Sequence, residues 1–227
     1  MKLIVKSLIV SVLFLTPVFA NAESQKTTVE NNVFAEKELR VLLNKYTNFG
    51  AQFVQEVKDS DEQLLHTAKG QLQFKQPGQF RWQVIQPEPE LLLSDGTTLW
   101  WHNPFVEQVT IFDAEDAVAT TPFALLVSQD DEVWSNFVIG KITNGFEIKP
   151  KDENAQVSSL VVTFANDVLQ GIDVTSRSQR ISQYALTGQV FDLPASVSFE
   201  FEIPPGTEID DQRSEAQQLI SDGNVQF

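Results

Sequence analysis

Along most of this chain, apolar and polar side chains alternate with a period of two, and turn residues interrupt the alternation at short intervals. After the turn at Pro77-Gly78, for example, Phe80, Trp82 and Val84 fall on one face of a strand. The same alternation is present at Val197 to Ile203. Many short strands separated by turn signals predict an antiparallel sheet, sandwich or barrel.

One of these strands carries two adjacent tryptophans, Trp100 and Trp101, shortly after the turn residues Ser94-Asp95-Gly96. Successive side chains on a strand point to opposite faces, so the two rings have to lie on different sides of the sheet. An ordinary antiparallel sheet buries one face and leaves the other in water. The pair therefore predicts that both faces of the sheet are covered at this point.

Two segments break the period of two and have helical patterns instead. An amphipathic helix is predicted at about 30–46 from apolar residues at helical spacing: Leu39, Leu42, Leu43 and Tyr46. A shorter helix is predicted at 121–128, with a threonine cap and Pro122 in its first turn. Because this segment is apolar on every side, we place it across the open face of the sheet as a plug or lid. Asp113 to Ala119 and Asp130 to Trp134 are interpreted as its polar approaches.

The first residues have the pattern of a secretory signal peptide. Lys2 and Lys6 form a positive region, Leu8 to Leu15 is almost wholly apolar, and Ala20-Asn21-Ala22 fits the cleavage pattern. Residues 1–22 are therefore predicted to be removed, and the mature protein is expected to be exported and not anchored in a membrane.

The remaining residues, 23–227, are interpreted as a single domain with loose tails at 23–32 and 214–227. There is no cysteine, so neither disulfides nor a lipid attached to cysteine can hold the exported chain in place. Without the two lysines of the signal, 14 basic residues face 31 acidic ones, a formal charge of −17. Such a surface repels phosphate groups, which argues against nucleic acid and against stable adsorption to anionic lipid.

No pattern for catalysis or metal binding is present in the sequence. His66 and His102 lack a partner at metal-ligand spacing, and no nucleophile elbow or phosphate loop occurs. The cluster Asp130-Asp131-Glu132 lacks the spacing and the glycine of a calcium loop and is interpreted as a solvated loop. We therefore expect no catalytic residue, no metal and no cofactor.

The aromatic composition is biased towards rings without a polar tip. Seventeen phenylalanines and four tryptophans occur with only two tyrosines, which suits a dry interior. Composition alone fits either a well-filled core or an apolar cavity that the two predicted helices partly close. In the second case one of the adjacent tryptophans would line the cavity and the other would pack under a helix or loop.

Several stretches between about Phe34 and Arg213 resemble, in order and spacing, the periplasmic outer-membrane lipoprotein carrier proteins of the Lol system. These stretches are Pro77-Gly78-Gln79-Phe80-Arg81-Trp82, Ser94-Asp95-Gly96 with Leu99-Trp100, Asn103-Pro104-Phe105-Val106-Glu107-Gln108, Thr121-Pro122-Phe123, and Pro204-Pro205-Gly206 with Asp210-Asp211-Gln212-Arg213. The resemblance implies a mainly β fold with α-helices, in which an incomplete, half-open antiparallel barrel is capped by an N-terminal helix and short lid helices.

The function that the resemblance implies is a periplasmic carrier, expected to be monomeric, that catalyses no reaction. Its cargo would be an acylated lipoprotein, received from an ATP-driven transporter of the inner membrane and passed to an acceptor lipoprotein in the outer membrane. Strand alternation, with an inward face assumed for each strand, predicts these residues for the cavity and lid: Phe53, Leu72, Phe74, Phe80, Trp82, Leu93, Trp100, Val109, Ile111, Phe123, Leu125, Leu126, Phe146 and Phe164.

One position departs from the family pattern. The family often has an arginine, implicated in lid closure and handover, immediately before the proline of the first hairpin, and this chain has Gln76 there. We assign Gln76 to lid closure, together with the nearby Arg81. A neutral amide can still donate a hydrogen bond to a carbonyl of the lid, without the strength that a charge adds.

Three other functions remain open at this stage. A carrier or sensor of free lipid would bind fatty acid without needing a lipoprotein's peptide. A regulatory protein that senses lipoproteins would need a second domain, and the single pattern of residues 23–227 leaves little room for one. An enzyme acting on acyl chains would need a nucleophile and a base inside the cavity.

Overall fold

The computed structural model of the chain describes residues 21–114 and 124–214. Nearly all of the predicted signal peptide, the predicted lid residue Phe123 and most of the predicted C-terminal tail lie outside the described residues.

The described part of the chain contains three helices and twelve strands. The helices are α1 (Asn21–Leu43), α2 (Ala124–Val127) and α3 (Asp131–Ser135). The strands are β1 (Asn48–Lys58), β2 (Leu64–Lys75), β3 (Gln79–Gln86), β4 (Glu90–Asp95), β5 (Thr98–Asn103), β6 (Gln108–Asp113), β7 (Phe137–Ile142), β8 (Gly145–Pro150), β9 (Val157–Ala165), β10 (Val168–Ser176), β11 (Ile181–Val190) and β12 (Glu208–Asp211).

All twelve strands belong to one long, open, curved sheet in the order β12-β6-β5-β4-β3-β2-β1-β11-β10-β9-β8-β7. The pairs are antiparallel, except that β12 runs parallel to β6. The chain winds outwards from β1 to β6, crosses to β7, and returns through β11 to the other edge of β1. The predicted fold class, a half-open and mainly antiparallel barrel with a few helices, is confirmed.

The predicted strand at Val197 to Ile203 is wrong, although its alternation is real. Phe199 is buried and Phe201 half-buried, but the segment joins no strand of the sheet. Pro204 and Pro205, which follow it, lack the backbone N–H that a ladder needs. The alternation arises because the segment lies across the sheet: the Phe201 ring is centred 6.0 Å from Trp100 and 5.5 Å from His102.

The N-terminal helix differs from its predicted bounds at both ends. The sequence predicted 30–46, whereas α1 runs from Asn21 to Leu43, so residues 23–32 are helical where a loose tail was predicted. Leu39 and Leu43 are buried, and Tyr46 is buried just beyond the helix, where its hydroxyl donates a hydrogen bond to the Asp167 carbonyl oxygen. Within the described residues, no helix has both the length and the apolar character that crossing a membrane requires.

The two faces of the sheet are called inner and outer here, the inner face being the one that carries Phe53, Phe74 and Trp82. Over β1 and β7–β11 the inner face is filled by a core to which Leu39 and Leu43 of α1 contribute. The buried strand residues of this core are Phe49, Ala51, Phe53, Phe137, Ile139, Phe146, Ile148, Leu160, Val162, Leu169, Ile172 and Leu186. Over β2–β6 no comparable helix of the described chain covers the inner face, and this half of the sheet holds the site described below.

A glycine lets an aromatic ring lie flat on the sheet where these two halves meet. Gly70 in β2 is paired with Phe53 in β1, and the Phe53 ring occupies the space above the glycine. A Cβ atom on Gly70 would lie 2.4 Å from Phe53 Cζ and 2.0 Å from the backbone oxygen of Gln83. Both distances are shorter than van der Waals contact allows, so only glycine, which has no side chain, fits at this position.

We expect Gly70→Ala to destabilise the fold by about 3 kcal/mol, because neither the Phe53 ring nor the β3 backbone can move freely. Gly140→Ala in β7 is the matched control, since its new methyl would meet nothing closer than the Glu147 oxygen at 4.0 Å. The control should change the free energy of unfolding by no more than about 0.5 kcal/mol. Urea unfolding of both variants measures the difference, and equal losses would contradict this packing.

Candidate functional site

The inner face of β2–β6 encloses an apolar cavity of about 600 Å³. Strand β11 adds one residue to its wall and the short helix α2 adds two. The lining residues are Leu72, Phe74, Phe80, Trp82, Val84, Glu90, Leu92, Leu99, Trp101, Phe112, Leu126, Val127 and Tyr184.

Strand register explains why these side chains meet. Residues paired across neighbouring strands share a face, so the pairs Trp82–Leu92 and Leu92–Trp101 form one continuous row across β3, β4 and β5. Leu99, paired with Phe112 of β6, belongs to the next row on the same face. The wall is therefore built from every second residue of each strand.

The faces assigned to β4, β5 and β6 from the sequence are wrong. Leu93, Trp100, Val109 and Ile111 were predicted to line the cavity, but they lie on the outer face. Alternation shows which residues share a face without showing which face is enclosed, and both faces of these strands are apolar. Trp101 lines the cavity instead, and Trp100 packs outside against Phe201. One tryptophan thus lines the cavity and the other packs under a loop, as predicted, but the inner face is only partly covered here, because Trp101 is 44% exposed.

The other predicted cavity residues lie on the inner side of the sheet. Those found in the cavity wall are Leu72, Phe74, Phe80, Trp82 and Leu126. Those in the adjoining core, or packed against it, are Phe53, Leu125, Phe146 and Phe164. The lining residues that the sequence analysis missed are Val84, Glu90, Leu92, Leu99, Trp101, Phe112, Val127 and Tyr184. Val84 follows the alternation of Phe80 and Trp82 and could have been included from the sequence alone.

Three aromatic rings join the cavity wall to the core. Trp82 and Tyr184 meet edge to face, with ring centroids 4.7 Å apart and planes at 90°. Phe53 lies 4.8 Å from Trp82 and 5.6 Å from Tyr184, measured between centroids. The Tyr184 hydroxyl accepts a hydrogen bond of 2.8 Å from Gln55 Nε2, so its polar tip is satisfied although the residue lies in an apolar wall.

Two polar groups belong to this otherwise apolar wall, Glu90 and Tyr184. The Glu90 carboxylate accepts a hydrogen bond from the indole N–H of Trp101. Burial raises the pKa of Tyr184 to about 12, and the charge of Glu90 adds to that rise, while hydrogen bonds from Ser182 and Gln55 oppose it. The phenol is therefore neutral at physiological pH and has no tendency to act as a base.

The helix α2 is held over the inner face through its backbone carbonyls. The Leu126 oxygen accepts a hydrogen bond of 3.3 Å from Gln76 Nε2, and the Val127 oxygen accepts one of 3.2 Å from the Gly78 N–H. Gln129 Nε2 in turn donates to Gln76 Oε1 at 2.9 Å. Leu126 and Val127 are thereby placed in the cavity wall, so α2 forms a lid that the β2–β3 hairpin fastens.

The predicted role of Gln76 in lid closure thus has a structural counterpart, whereas that of Arg81 does not. Arg81 is paired with Gln73 and Leu93 on the outer face, and its Nη2 donates to Gln83 Oε1 at 3.2 Å. Burial lowers the pKa of its guanidinium. Arg81 is next to the inward-facing Trp82 in the chain, so the alternation of β3 turns its side chain to the outer face, away from the lid.

A second set of contacts ties the end of the lid to α1. The Trp134 indole N–H donates to the Ser128 oxygen at 3.0 Å, and the Arg40 guanidinium lies 4.3 Å above the Trp134 ring. Arg40 also forms an ion pair of 2.7 Å with Asp131. The acidic cluster predicted as a solvated loop in fact begins α3, because the Asp130 side chain accepts a hydrogen bond from the Glu132 N–H and caps the helix.

The histidines do not contribute to the cavity wall. His66 lies in β2, and His102 lies in β5 on the outer face beside Phe201. Burial lowers the pKa of His102. Among the described residues, no group of three or more potential ligand side chains is arranged to hold a metal ion.

Comparisons with known proteins agree with one another. Residues 44–202 match the family model of the outer membrane lipoprotein carrier protein LolA. A protein of Proteus mirabilis named outer-membrane lipoprotein carrier protein is 38% identical over 180 residues, which cover 79% of this chain and 89% of that protein. The protein of the same name from Psychromonas ingrahamii is 35% identical over 211 residues, covering 92% of this chain and 99% of the relative.

Solved structures give a weaker match. The crystal structure of a LolA superfamily protein from Nitrosomonas europaea aligns with 72% of this chain and 97% of its own, at 11% identity and a TM-score of 0.40. At this level of similarity the sequence relatives carry the assignment.

We expect Gln76→Ala to loosen the lid, since it removes the donor to the Leu126 carbonyl and the acceptor for Gln129. A hydrogen bond contributes about 1 kcal/mol, so hydrogen exchange of the backbone amides at 125–128 should accelerate about fivefold. Gln79→Ala is the control, because it changes the same hairpin on the outer face. Equal exchange in both variants would show that Gln76 does not hold the lid.

The titration of the two tyrosines gives a second test. Burial raises the pKa of Tyr46 and of Tyr184, so the folded protein should form little tyrosinate near pH 10, where an exposed tyrosine is about half ionised. Because both pKa values are higher in the folded state, their contribution to stability is complete below about pH 10 and is lost as the pH rises through the folded-state values, that of Tyr184 being about 12. Absorbance titration with and without denaturant measures this shift, and superimposable curves would contradict the burial of the phenols.

Proposed function

The chain belongs to the family of outer membrane lipoprotein carrier proteins, and we propose that it carries acylated lipoproteins through the periplasm with their acyl chains in the cavity of the inner face. The observation that supports this function is the apolar cavity closed by a short lid. Its wall offers hydrocarbon and aromatic surface almost throughout, which suits an acyl chain and offers a peptide backbone few hydrogen-bonding partners.

The size of the cavity fits a ligand of this kind. About 600 Å³ lies within the range of roughly 300–1,000 Å³ that is common for ligand pockets. Each methylene that leaves water contributes about 0.8 kcal/mol, so burying ten of them would contribute on the order of 8 kcal/mol. An acyl chain that would be insoluble alone could therefore travel through an aqueous compartment inside the protein.

Delivery requires that this affinity be moderate, and the lid supplies a way to achieve it. Leu126 and Val127 occupy part of the wall in the structure, so an incoming chain competes with them for the same apolar surface. The hydrogen bonds from Gln76 and Gly78 are few and each contributes about 1 kcal/mol. Opening the lid breaks these bonds and exposes Leu125, Leu126 and Val127, a cost that the entering acyl chain offsets by covering the same surface, and reclosing the lid helps to expel the cargo.

The partners of this cycle follow from the family resemblance. We propose an ATP-driven transporter of the inner membrane as the source of cargo and an acceptor lipoprotein of the outer membrane as its destination. The protein itself needs no chemistry for this role. Within the described cavity wall no nucleophile stands beside a histidine or other base, and the phenol of Tyr184 remains protonated.

The carrier function can be tested with spheroplasts that synthesise a known outer-membrane lipoprotein. Purified protein should release that lipoprotein into the supernatant as a soluble one-to-one complex, and the release should depend on ATP. No release together with tight binding of free fatty acid would instead favour a carrier of free lipid.

Two neighbouring leucines provide matched variants for the same assay. Leu92 lines the cavity and Leu91 lies on the outer face, and both are half-buried. Leu92→Gln places an amide where the acyl chain would pack, at a cost of about 1–3 kcal/mol, so the yield of complex should fall about tenfold. Leu91→Gln should leave the yield within about twofold of the unmodified protein. Equal yields from the two variants would argue against the cavity as the cargo site.

A further inference from the structure

Glu90 is a charged residue in an apolar wall, and neither the fold nor the proposed carrier function accounts for it. It is the first residue of β4 and is paired with Val84 of β3 on the inner face. Among the described residues that line the cavity, no other has a charged side chain. A carboxylate in such surroundings lowers the apolar area available to an acyl chain, so its presence calls for a physical explanation.

Glu90 lies at the end of the cavity that opens to solvent. Its hydrogen-bond partner Trp101 is 44% exposed, whereas Phe74, Leu126 and Val127, at the lid end, are almost completely buried. Glu90 also follows the exposed turn at residues 87–89, which connects β3 to β4. An acyl chain that enters with its free end towards the lid therefore leaves its head group beside Glu90.

The carboxylate is fixed rather than free to turn away. The Trp101 indole N–H donates to it, and both side chains belong to the same wall. Its charge also acts across the cavity, because it contributes to the raised pKa of Tyr184 on β11. A negative charge introduced by a ligand at this end would thus meet the negative charge of Glu90 at the partly exposed mouth of the cavity.

We propose that Glu90 is a specificity residue that disfavours anionic lipids, so that the cavity prefers acyl chains joined through uncharged ester or amide bonds to free fatty-acid carboxylates. This inference rests on the proposed function, because it takes the cavity to be the acyl-binding site. Acyl groups attached to a protein carry no charge at the point of attachment, whereas a free fatty acid ends in a carboxylate. Repulsion between two carboxylates at the cavity mouth would separate these two classes of ligand.

The expected effect is moderate because the cavity mouth is partly open to water. At an effective dielectric constant between that of a protein surface and that of water, two such charges a few ångströms apart disfavour binding by about tenfold, or roughly 1.4 kcal/mol.

The test compares two fluorescent ligands, a dansyl-labelled medium-chain fatty acid and its primary carboxamide, by direct titration. The unmodified protein should bind the carboxylate about tenfold more weakly than the carboxamide. Glu90→Gln removes the charge but keeps an oxygen that can accept the Trp101 hydrogen bond, and it should bring the two dissociation constants to within about twofold of each other. Glu88→Gln is the matched control, since it removes the same charge from the nearby exposed turn and should preserve the discrimination.

The outcomes separate this inference from the function on which it rests. If both ligands bind and their ratio is the same in Glu90→Gln as in the unmodified protein, Glu90 does not select against anions. If neither ligand binds to any variant, the acyl-binding function fails and the inference fails with it. Glu90→Ser provides a second neutral variant, and near-ultraviolet circular dichroism confirms that each variant retains the native packing of its aromatic residues.

Discussion

The strands β4–β6 are apolar on both faces and have to be covered on each, and the rest of this structure depends on how that is done. On the outer face of β4–β6 the cover is built in, because the segment around Phe199 and Phe201 crosses the strands before β12 joins the edge. On the inner face, α1 and the core fill one half permanently. The other half is covered by the four-residue helix α2, which leaves a cavity beneath it.

One half of the inner face is covered by a fixed core and the other half by a small lid, and this difference would allow the protein to take up and release cargo. The half of the barrel around α1 and β7–β11 is the stable frame, because its core side chains are buried in one large, well-packed cluster. The lid contributes only Leu125, Leu126 and Val127 to the buried core and is otherwise held by a few hydrogen bonds and by the contact between Arg40 and Trp134, so it can open without unfolding that frame. Gln76 supports the closed state with a neutral amide, whose hydrogen bond is weaker than one from a charged donor.

Much of the fold could be predicted from the sequence, because alternation and turn residues are local signals. The strand pairs around the turns at Pro77-Gly78 and Asp95-Gly96 are of this kind. The choice of enclosed face for β4–β6 could not be predicted, since it depends on the distant segment that covers Trp100. The same limit applies to residues 197–203, where alternation reflects burial without pairing. Glu90 was missed because a lone acidic residue in so acidic a chain is inconspicuous until its neighbours are known.

The central claim is that acyl cargo occupies the inner face of β4–β6 and not the outer one. The most direct measurement is photo-cross-linking with a photoreactive amino acid placed at position 101 in one protein and at position 100 in another. The two positions are adjacent in the chain but lie on opposite faces. We predict that cargo loaded from spheroplasts cross-links through its acyl chains from position 101 and not from position 100. Cross-linking from position 100, or equally from both, would contradict this account.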